Sequence, residues 1–188
     1  MLDDVEKSIL LDLARRTLEG YFASRSLPGL PAPEELRMLP GGGAGLRERK
    51  GAFVSLHKDG DLRGCIGLIE SDQELYLTVR RCVLSAALED PRFPPVTRDE
   101  VPGLALEISV LGPLVRVKSV EEVQVGRHGI YMVHGVNRGL LLPQVAVEYG
   151  WDRREFLEQT CRKSGLPKYA WDSPDSEFYV FEAEVFSE

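Results

Sequence analysis

The amino-acid sequence predicts an α+β fold, in which an antiparallel β-sheet packs against helices. Apolar residues recur at three- and four-residue steps over residues 4–24, which is typical of a long amphipathic helix. Later segments such as LALEISVL, residues 104–111, alternate between apolar and polar residues, as half-buried strands do. Such strand patterns outnumber the long helices and do not alternate with them in βαβ order, which favours an antiparallel sheet.

The composition of the chain argues against several classes of protein. Its 188 residues, 43% of them hydrophobic, suffice for one good core or two small lobes. A net charge of -7 argues against a large nucleic-acid-binding surface. No apolar run approaches the roughly 20 residues of a membrane helix, and the N-terminus carries acids where a signal peptide needs basic residues. We therefore expect a cytoplasmic protein that binds neither membrane nor nucleic acid.

The cysteines also limit the chemistry. Cys65, Cys82 and Cys161 are scattered and form neither a disulfide framework nor the C-x-x-C spacing of a zinc site, so they fit a reducing compartment. Cys82 falls on the apolar stripe of a predicted helix, which indicates a core residue. We expect no bound metal and no cofactor.

The first helix begins with Asp3 and, three residues later, Glu6, which together predict a capping box. Residues 27–45, which follow this helix, hold four prolines and five glycines. This composition predicts a long crossing over the surface. Its glycines lack both G-K-[ST] and G-x-G-x-x-G, so a linker is favoured over a phosphate-binding loop.

Residues 52–69 predict a β-hairpin, with AFVSLH as the first strand, KDGD as the turn and LRGCIGLI as the second strand. Because side chains alternate along a strand, Leu62, Ile66 and Leu68 share one face with Gly64. We expect this strand to be central in the sheet, with the three apolar side chains buried. Gly64 would then admit a closely packed helix.

The opposite face of the same strand carries Arg63, Cys65 and Gly67. A cation, a thiol and a missing side chain on one face indicate the wall of a pocket. On this interpretation, Gly67→Val fills the pocket with a smaller effect on folding than the same change at Gly64.

The next predicted helix starts at Ser71, with Glu74 completing a capping box, and runs to about Leu88. The segment EDPRFPPVT follows, and its acids lie where the helix dipole disfavours negative charge. Either Arg92 or a backbone amide compensates for acids such as Asp90, or these acids face a site.

Further along, PLVRV and VGRHGIYMV predict strands, and GLLLPQVAVEYG joins an apolar segment to a short helix closed by Gly150. Asp152 and Glu155 cap another helix, which ends at Gly165. The last segment, FYVFEAEVF, alternates as a strand with Tyr179, Phe181, Ala183 and Val185 on one face.

Six segments stand out together, in the order LRGCIG, EDPRFPPVT, EISVLGPL, VGRHGI, GLLLPQVAVEYGWD and CRKSGLP. In this order they resemble the AMMECR-domain family, whose prokaryotic form is called AmmeMemoRadiSam system protein A. The likeness covers roughly residues 4–186. Its most specific part is LRGCIG, followed some twenty-odd residues later by RFPP.

The resemblance implies one domain over residues 1–188, built as a larger and a smaller lobe with LRGCIG near the cleft between them. It also implies an association with Memo-type and radical-SAM proteins, and it brings no established reaction. The chain has no C-x-x-x-C-x-x-C cluster motif, so we expect it to serve a radical enzyme and not to be one.

Cys65 is a candidate nucleophile, because Arg63 would favour the thiolate and the flanking glycines would leave room for a substrate. The base would be His57 or His128. Alternatively, Cys65 is a small buried apolar residue, and the ring of His128 bonds its own backbone. The sequence leaves both alternatives open.

Arg63 and Arg92 suggest a second kind of site. Two guanidinium groups beside a glycine-lined wall would suit a small anionic ligand or an acidic side chain of a partner protein. The residues assigned to this site are Arg63, Gly64, Cys65, Gly67, Arg92 and Gln144, the last at the start of a short helix. The structural alternative pairs Arg92 with Asp90 or Glu89, and Arg63 with Glu70 or Glu107.

Two functions from different classes follow. In the first, the protein is an accessory or binding component with an anion-accepting cleft at LRGCIG. In the second, it is an enzyme that uses Cys65 with a histidine in a transfer or hydrolytic reaction.

Overall fold

The structure is a computed structural model that describes residues 1–188, except the side chains of Pro33 and Pro40. The chain forms two compact units. The first comprises residues 1–110 and 184–188, and the second comprises residues 111–183. The predicted α+β class is confirmed, because each unit combines helices with an antiparallel sheet.

The helices are α1 (Asp4–Ser24), α2 (Pro33–Arg37), α3 (Ala44–Arg47), α4 (Leu75–Leu88), α5 (Pro143–Glu148) and α6 (Arg153–Lys163). Short 3₁₀ turns cover Pro40–Gly43, Arg98–Gly103, Val120–Glu122 and Ala170–Asp172. The strands are β1 (Ala52–Lys58), β2 (Asp61–Leu68), β3 (Leu104–Leu111), β4 (Val115–Arg116), β5 (Gly129–His134), β6 (Asn137–Leu141), β7 (Ser176–Phe181) and β8 (Ala183–Ser187).

The first sheet has the strand order β2–β1–β3–β8 and contains the predicted hairpin as β1 and β2. The expectation that the LRGCIG strand is central is wrong, because β2 is an edge strand. A bulge between Leu56 and His57 places one extra residue, Arg63, between the paired positions Leu62 and Gly64. An extra residue reverses the alternation of side chains, so Leu62 pairs with His57 and is 39% exposed.

One face of this sheet carries the core of the first unit. Val54, Leu56 and Ile108 are fully buried on it, and α4 packs across β1 and β2 with α1 packed on α4. Ile66 and Leu68 are partly buried against this core, as an edge strand allows. From Gly64 onwards, beyond the bulge, the core face of β2 thus follows the predicted alternation.

Gly64 has the structural reason that the sequence predicts. A Cβ atom added at this position would lie 2.2 Å from the carbonyl oxygen of Ala86 in α4. The helix therefore approaches the strand so closely that no side chain fits between them.

The first helix starts at its predicted capping box, in which Asp3 accepts from the amide of Glu6 and Glu6 accepts from the amide of Asp3. The helix expected from Ser71 starts later, at Leu75. The hydroxyl of Ser71 instead accepts hydrogen bonds from the Gln73 amide and the Thr78 hydroxyl. This turn precedes the helix and takes the place of a capping box.

The segment 27–45 is not only a surface crossing, which corrects the sequence prediction. It contains α2 and the start of α3, and it places Leu36 in the core of the first unit, together with the neighbouring Leu46. The amide of Gly45 donates to Glu6, which anchors the segment to α1.

The second unit has its own sheet, in the order β4–β7–β5–β6, and α6 packs on β5 and β6. Ile130, Met132 and Phe156 are fully buried in its core. The segment FYVFEAEVF is not one strand as predicted. It breaks at Glu182 into β7 and β8, which belong to different sheets, and Val185 is exposed.

Gly64→Ala tests the close approach of α4. We expect a loss of about 2–3 kcal/mol in the free energy of unfolding, because the new methyl group overlaps a backbone carbonyl that cannot rotate away. Gly103→Ala is the matched control, since a Cβ there meets no described atom within 4 Å. Urea unfolding of both variants measures the difference, and equal stabilities would contradict the packing described here.

Candidate functional site

The sheet face opposite the core carries the polar residues of the first unit. We call this surface the thiol face and define it by Phe53, Ser55, His57, Cys65, Gly67, Glu107 and Ser109. The strand register places Ser55 directly opposite Cys65 on one side and Glu107 on the other. The hydroxyl of Ser55 donates to the Cys65 sulfur at 3.2 Å.

Cys65 is held from outside the sheet by Asp90. Its backbone amide donates to Asp90 Oδ2 at 2.8 Å, and its carbonyl accepts from Arg92 Nη2 at 3.3 Å. Both groups lie on the open edge of β2, where a neighbouring strand would otherwise provide the partners. A side-chain pair therefore takes the place of a strand at this peptide.

Asp90 and Arg92 form a bidentate ion pair. Arg92 donates from Nε to Oδ1 at 2.9 Å and from Nη2 to Oδ2 at 2.7 Å, and its own amide donates at 3.1 Å. Asp90 is only 5% exposed. The hydrogen bonds from Arg92, together with that from the Cys65 amide, lower the pKa of Asp90 to about 2 despite its burial. The predicted compensation of Asp90 by Arg92 and an amide is thus observed.

The side chain of Arg63 is already paired within the protein, although the sequence predicts an anion-accepting role for it. Its Nε and Nη2 donate to the two carboxylate oxygens of Glu100 at 2.9 and 3.1 Å. Its Nη1 donates to the carbonyl of Pro94 at 2.9 Å, and Nη2 also reaches the carbonyl of Pro95. As the bulged residue, Arg63 binds the proline segment, and its partner Glu100 is neither of the acids named from the sequence.

Glu100 has the complementary role. Hydrogen bonds from Arg63 first, and then from the amide of Thr97, lower the pKa of Glu100 to about 2. Lys58 also forms an ion pair with this carboxylate at 3.3 Å. No local pattern predicts this pairing, because Glu100 lies 37 residues from Arg63.

Gly67 does not open space, which corrects the pocket-wall interpretation. A Cβ added there would lie 2.3 Å from the Phe53 ring and 2.4 Å from the carbonyl oxygen of Ala52. The ring of Phe53, directly across the strand pair, fills the position. Gly67→Val should therefore disturb folding much as the same change at Gly64 does.

The histidines have separate surroundings. His57 lies within β1 on the thiol face, and its Nε2 is buried without a hydrogen-bond partner among the described residues. His128 belongs to the second unit, where its Nδ1 accepts from the amide of Gln124 in its own loop. This is the backbone-bonded alternative that the sequence left open. Gln144, also in the second unit, is the second residue of α5.

The other two cysteines are core residues. Cys82 in α4 is buried, and this burial raises the pKa of its thiol to about 11. Cys161 in α6 is fully buried, and burial likewise raises the pKa of its thiol. Cys65 alone of the three is partly exposed.

Sequence reasoning missed Ser55 and Glu100 as neighbours of the motif. Among the described residues, no group of three or more His, Cys, Asp or Glu side chains could hold a metal ion. No helix in the described part of the chain combines the length and apolarity needed to span a membrane.

Comparison with known proteins gives a consistent result. The AMMECR1 family model matches residues 11–186. The chain is 42% identical to protein MK0488 of Methanopyrus kandleri and 38% identical to protein MJ0810 of Methanocaldococcus jannaschii, over 97% of its length and 88% and 90% of theirs. The crystal structure of protein PH0010 from Pyrococcus horikoshii matches with a TM-score of 0.90 at 36% identity, covering 100% of this chain and 93% of that one.

The lowered pKa of Asp90 predicts a pH dependence of stability. A carboxyl whose pKa is lower in the folded state stabilises the fold above its unfolded pKa, and this contribution is lost as pH falls towards the folded value of about 2. Between about pH 5 and pH 2, the free energy of unfolding of the wild type should fall by on the order of 2 kcal/mol more than that of Asp90→Asn.

Urea unfolding at both pH values measures this difference. Asp12→Asn is the control, because Asp12 is 62% exposed and its ion pair lies on the surface of α1. An Asp90→Asn protein with the full acid dependence of the wild type would contradict the role of Asp90.

Alkylation tests the exposure of Cys65. We expect iodoacetamide to modify Cys65 at neutral pH at least about tenfold faster than Cys82 or Cys161, because both of these thiols are buried and have raised pKa values. Mass spectrometry of timed digests gives the rate at each site, and urea-unfolded protein gives the intrinsic rates. Equal protection of all three cysteines in the folded protein would contradict an accessible Cys65.

Proposed function

Because the chain belongs to the AMMECR1 family, we propose that it is an accessory or binding component of a system that includes Memo-type and radical-SAM proteins. Its binding site lies at LRGCIG and accepts an anionic group. The ligand is a carboxylate or a phosphate, carried by a small molecule or by a partner's surface. The fixed guanidinium of Arg92 supports this proposal more than any other feature.

The side chain of Arg92 is held in one orientation and is still exposed to solvent. Asp90 holds Nε and Nη2, while Nη1 has no hydrogen-bond partner among the described residues, and the side chain is 53% exposed. A guanidinium whose orientation is already fixed loses little conformational entropy when it binds an anion. The Nη1 group of this exposed side chain is therefore a hydrogen-bond donor that is already oriented for an anion.

Arg92 is the centre of this site in place of Arg63. The side chain of Arg63 is 14% exposed, and each of its nitrogens already donates to Glu100 or to a proline carbonyl. An incoming anion would have to replace a bidentate ion pair there. At Arg92 it would add a contact without removing one.

The Cys65 thiol lies beside the proposed anion site. Asp90 is the main cause of the raised pKa of Arg92, and the Cys65 sulfur adds to this effect because it is close to the cation. Arg92 Nη2 also donates to the Cys65 carbonyl, so a ligand held by Arg92 would lie close to the one partly exposed cysteine among the described residues.

A second candidate function is an enzyme in which Cys65 is the nucleophile and His57 the base. The buried Nε2 of His57 favours it, because this nitrogen has no hydrogen-bond partner among the described residues. His57 is two residues from Ser55 on the same face, which makes it a diagonal neighbour of Cys65. His128 has no such support.

Arg92→Lys tests the anion site. We expect roughly tenfold weaker binding of inorganic phosphate or malonate, because an ammonium group cannot reproduce the fixed planar donors of Arg92. Isothermal titration measures these affinities, and purified Memo-type and radical-SAM proteins from the same organism form a second arm. Arg81→Lys, an exposed change on α4, is the control.

Unchanged affinities for both probes and both partner proteins in Arg92→Lys would overturn the binding site. The enzyme alternative predicts a different pattern, in which His57→Asn slows alkylation of Cys65 above neutral pH and Arg92→Lys leaves the shape of the pH profile unchanged.

A further inference from the structure

The second unit contains a pocket that is independent of LRGCIG. It has a volume of about 570 Å³ and lies between the chain from β4 to the 3₁₀ turn Val120–Glu122 and the chain from Ala170–Asp172 into β7. Volumes of roughly 300–1,000 Å³ are typical of small-molecule sites. The pocket is partly open to solvent, and its Trp171 packs against the core of the second unit.

Hydrogen bonds fix both walls of the pocket. The amide of Val117 donates to the carbonyl of Phe178 at 3.0 Å, which extends the pairing of β4 and β7 beyond the strand. On the other wall, the hydroxyl of Ser176 donates to the carbonyl of Ala170 at 2.6 Å. A ligand would therefore enter a cavity that is already formed.

Among the described residues, the only acid that lines this pocket is already paired with a cation. Glu177 accepts from Arg116 Nη2 at 2.9 Å through one oxygen and from the Tyr179 hydroxyl at 2.9 Å through the other. This carboxylate raises the pKa of Tyr179, which keeps the phenol protonated as a donor. Glu177 therefore has little capacity left to attract a cation.

The unpaired groups of the pocket are donors. Among the described residues, Lys118 has no ion-pair or hydrogen-bond partner for its ammonium group, and the indole N–H of Trp171 has none either. Arg116 uses only Nη2, so Nε and Nη1 are also free of described partners. Donors in excess on a mixed apolar and polar wall call for an acceptor with an apolar body.

We infer that this pocket binds a small flat ring that carries one anionic group, a carboxylate or a phosphate. The anionic group contacts Lys118 and Arg116 at the rim, and the ring lies against the indole of Trp171. The acidic character of the whole chain makes these two cations a local feature and not part of a general basic surface. The inference does not depend on the proposed function of LRGCIG.

The test uses the full-length chain labelled with ¹⁵N. The protein has two tryptophans, so its NMR spectrum contains two indole N–H signals, which Trp171→Phe assigns. Trp151 is an internal control, because it stacks on Tyr149 and does not line the pocket. The probes are 2-naphthoate, 2-naphthyl phosphate, the neutral 2-naphthalenemethanol, and inorganic phosphate without a ring.

We expect both ring anions to shift the Trp171 signal and leave the Trp151 signal in place. The neutral probe and inorganic phosphate should bind roughly tenfold more weakly or not at all, and the preferred ring anion decides between carboxylate and phosphate. Lys118→Met should weaken the ring anions about five- to tenfold, whereas Lys168→Met, a lysine of the same unit outside the pocket, should not.

Three outcomes would overturn the inference. The first is a Trp171 signal that none of the probes moves at millimolar concentration. The second is equal affinity for the neutral and anionic probes, which would remove the role of the cations. The third is equal weakening by Lys118→Met and Lys168→Met, which would reduce the effect to net charge.

Discussion

The LRGCIG strand depends on the hydrogen bonds that the buried carboxylate of Asp90 accepts. β2 is an edge strand, so the peptide groups of Cys65 would face solvent or another chain without it. Asp90 accepts the Cys65 amide and orients Arg92 onto the Cys65 carbonyl. A single acid thus closes the edge, fixes the backbone of the thiol and positions a guanidinium beside it. An aspartate two residues beyond the end of α4 is unfavourable for the helix dipole, and this network offsets that cost.

The arginines of the two most specific motifs, Arg63 and Arg92, both hold the segment after α4 against β2. Arg63, the extra residue at the bulge, links β2 to Glu100 and to the carbonyls of the proline segment. Arg92, which precedes these prolines in the chain, links the same segment to β2 through the Cys65 carbonyl. Two anchor points hold EDPRFPP against the strand edge. Only Arg92 keeps a donor that faces solvent, which is why the proposed anion site is centred on Arg92 and not on Arg63.

The sequence was sufficient for features that depend on local periodicity or local chemistry. The first helix with its capping box at Asp3, the hairpin and the helix-packing reason for Gly64 all follow from neighbouring residues. The sequence was insufficient where one inserted residue changes everything beyond it. A two-residue turn without the bulge would place Ser55 opposite Gly64, so neither its contact with Cys65 nor the exposure of Leu62 could be predicted. Contacts between distant segments, such as Phe53 filling the space at Gly67, leave no periodic pattern.

Amide hydrogen exchange at Cys65 tests the central role of Asp90 most directly. We expect this amide to be protected in the wild-type protein although it lies on a sheet edge, because its acceptor is a buried carboxylate. In Asp90→Ala the same amide should exchange orders of magnitude faster, while amides of β1 and β3 in the sheet interior change little. Rapid exchange at Cys65 in the wild type, or unchanged protection in Asp90→Ala, would contradict the account.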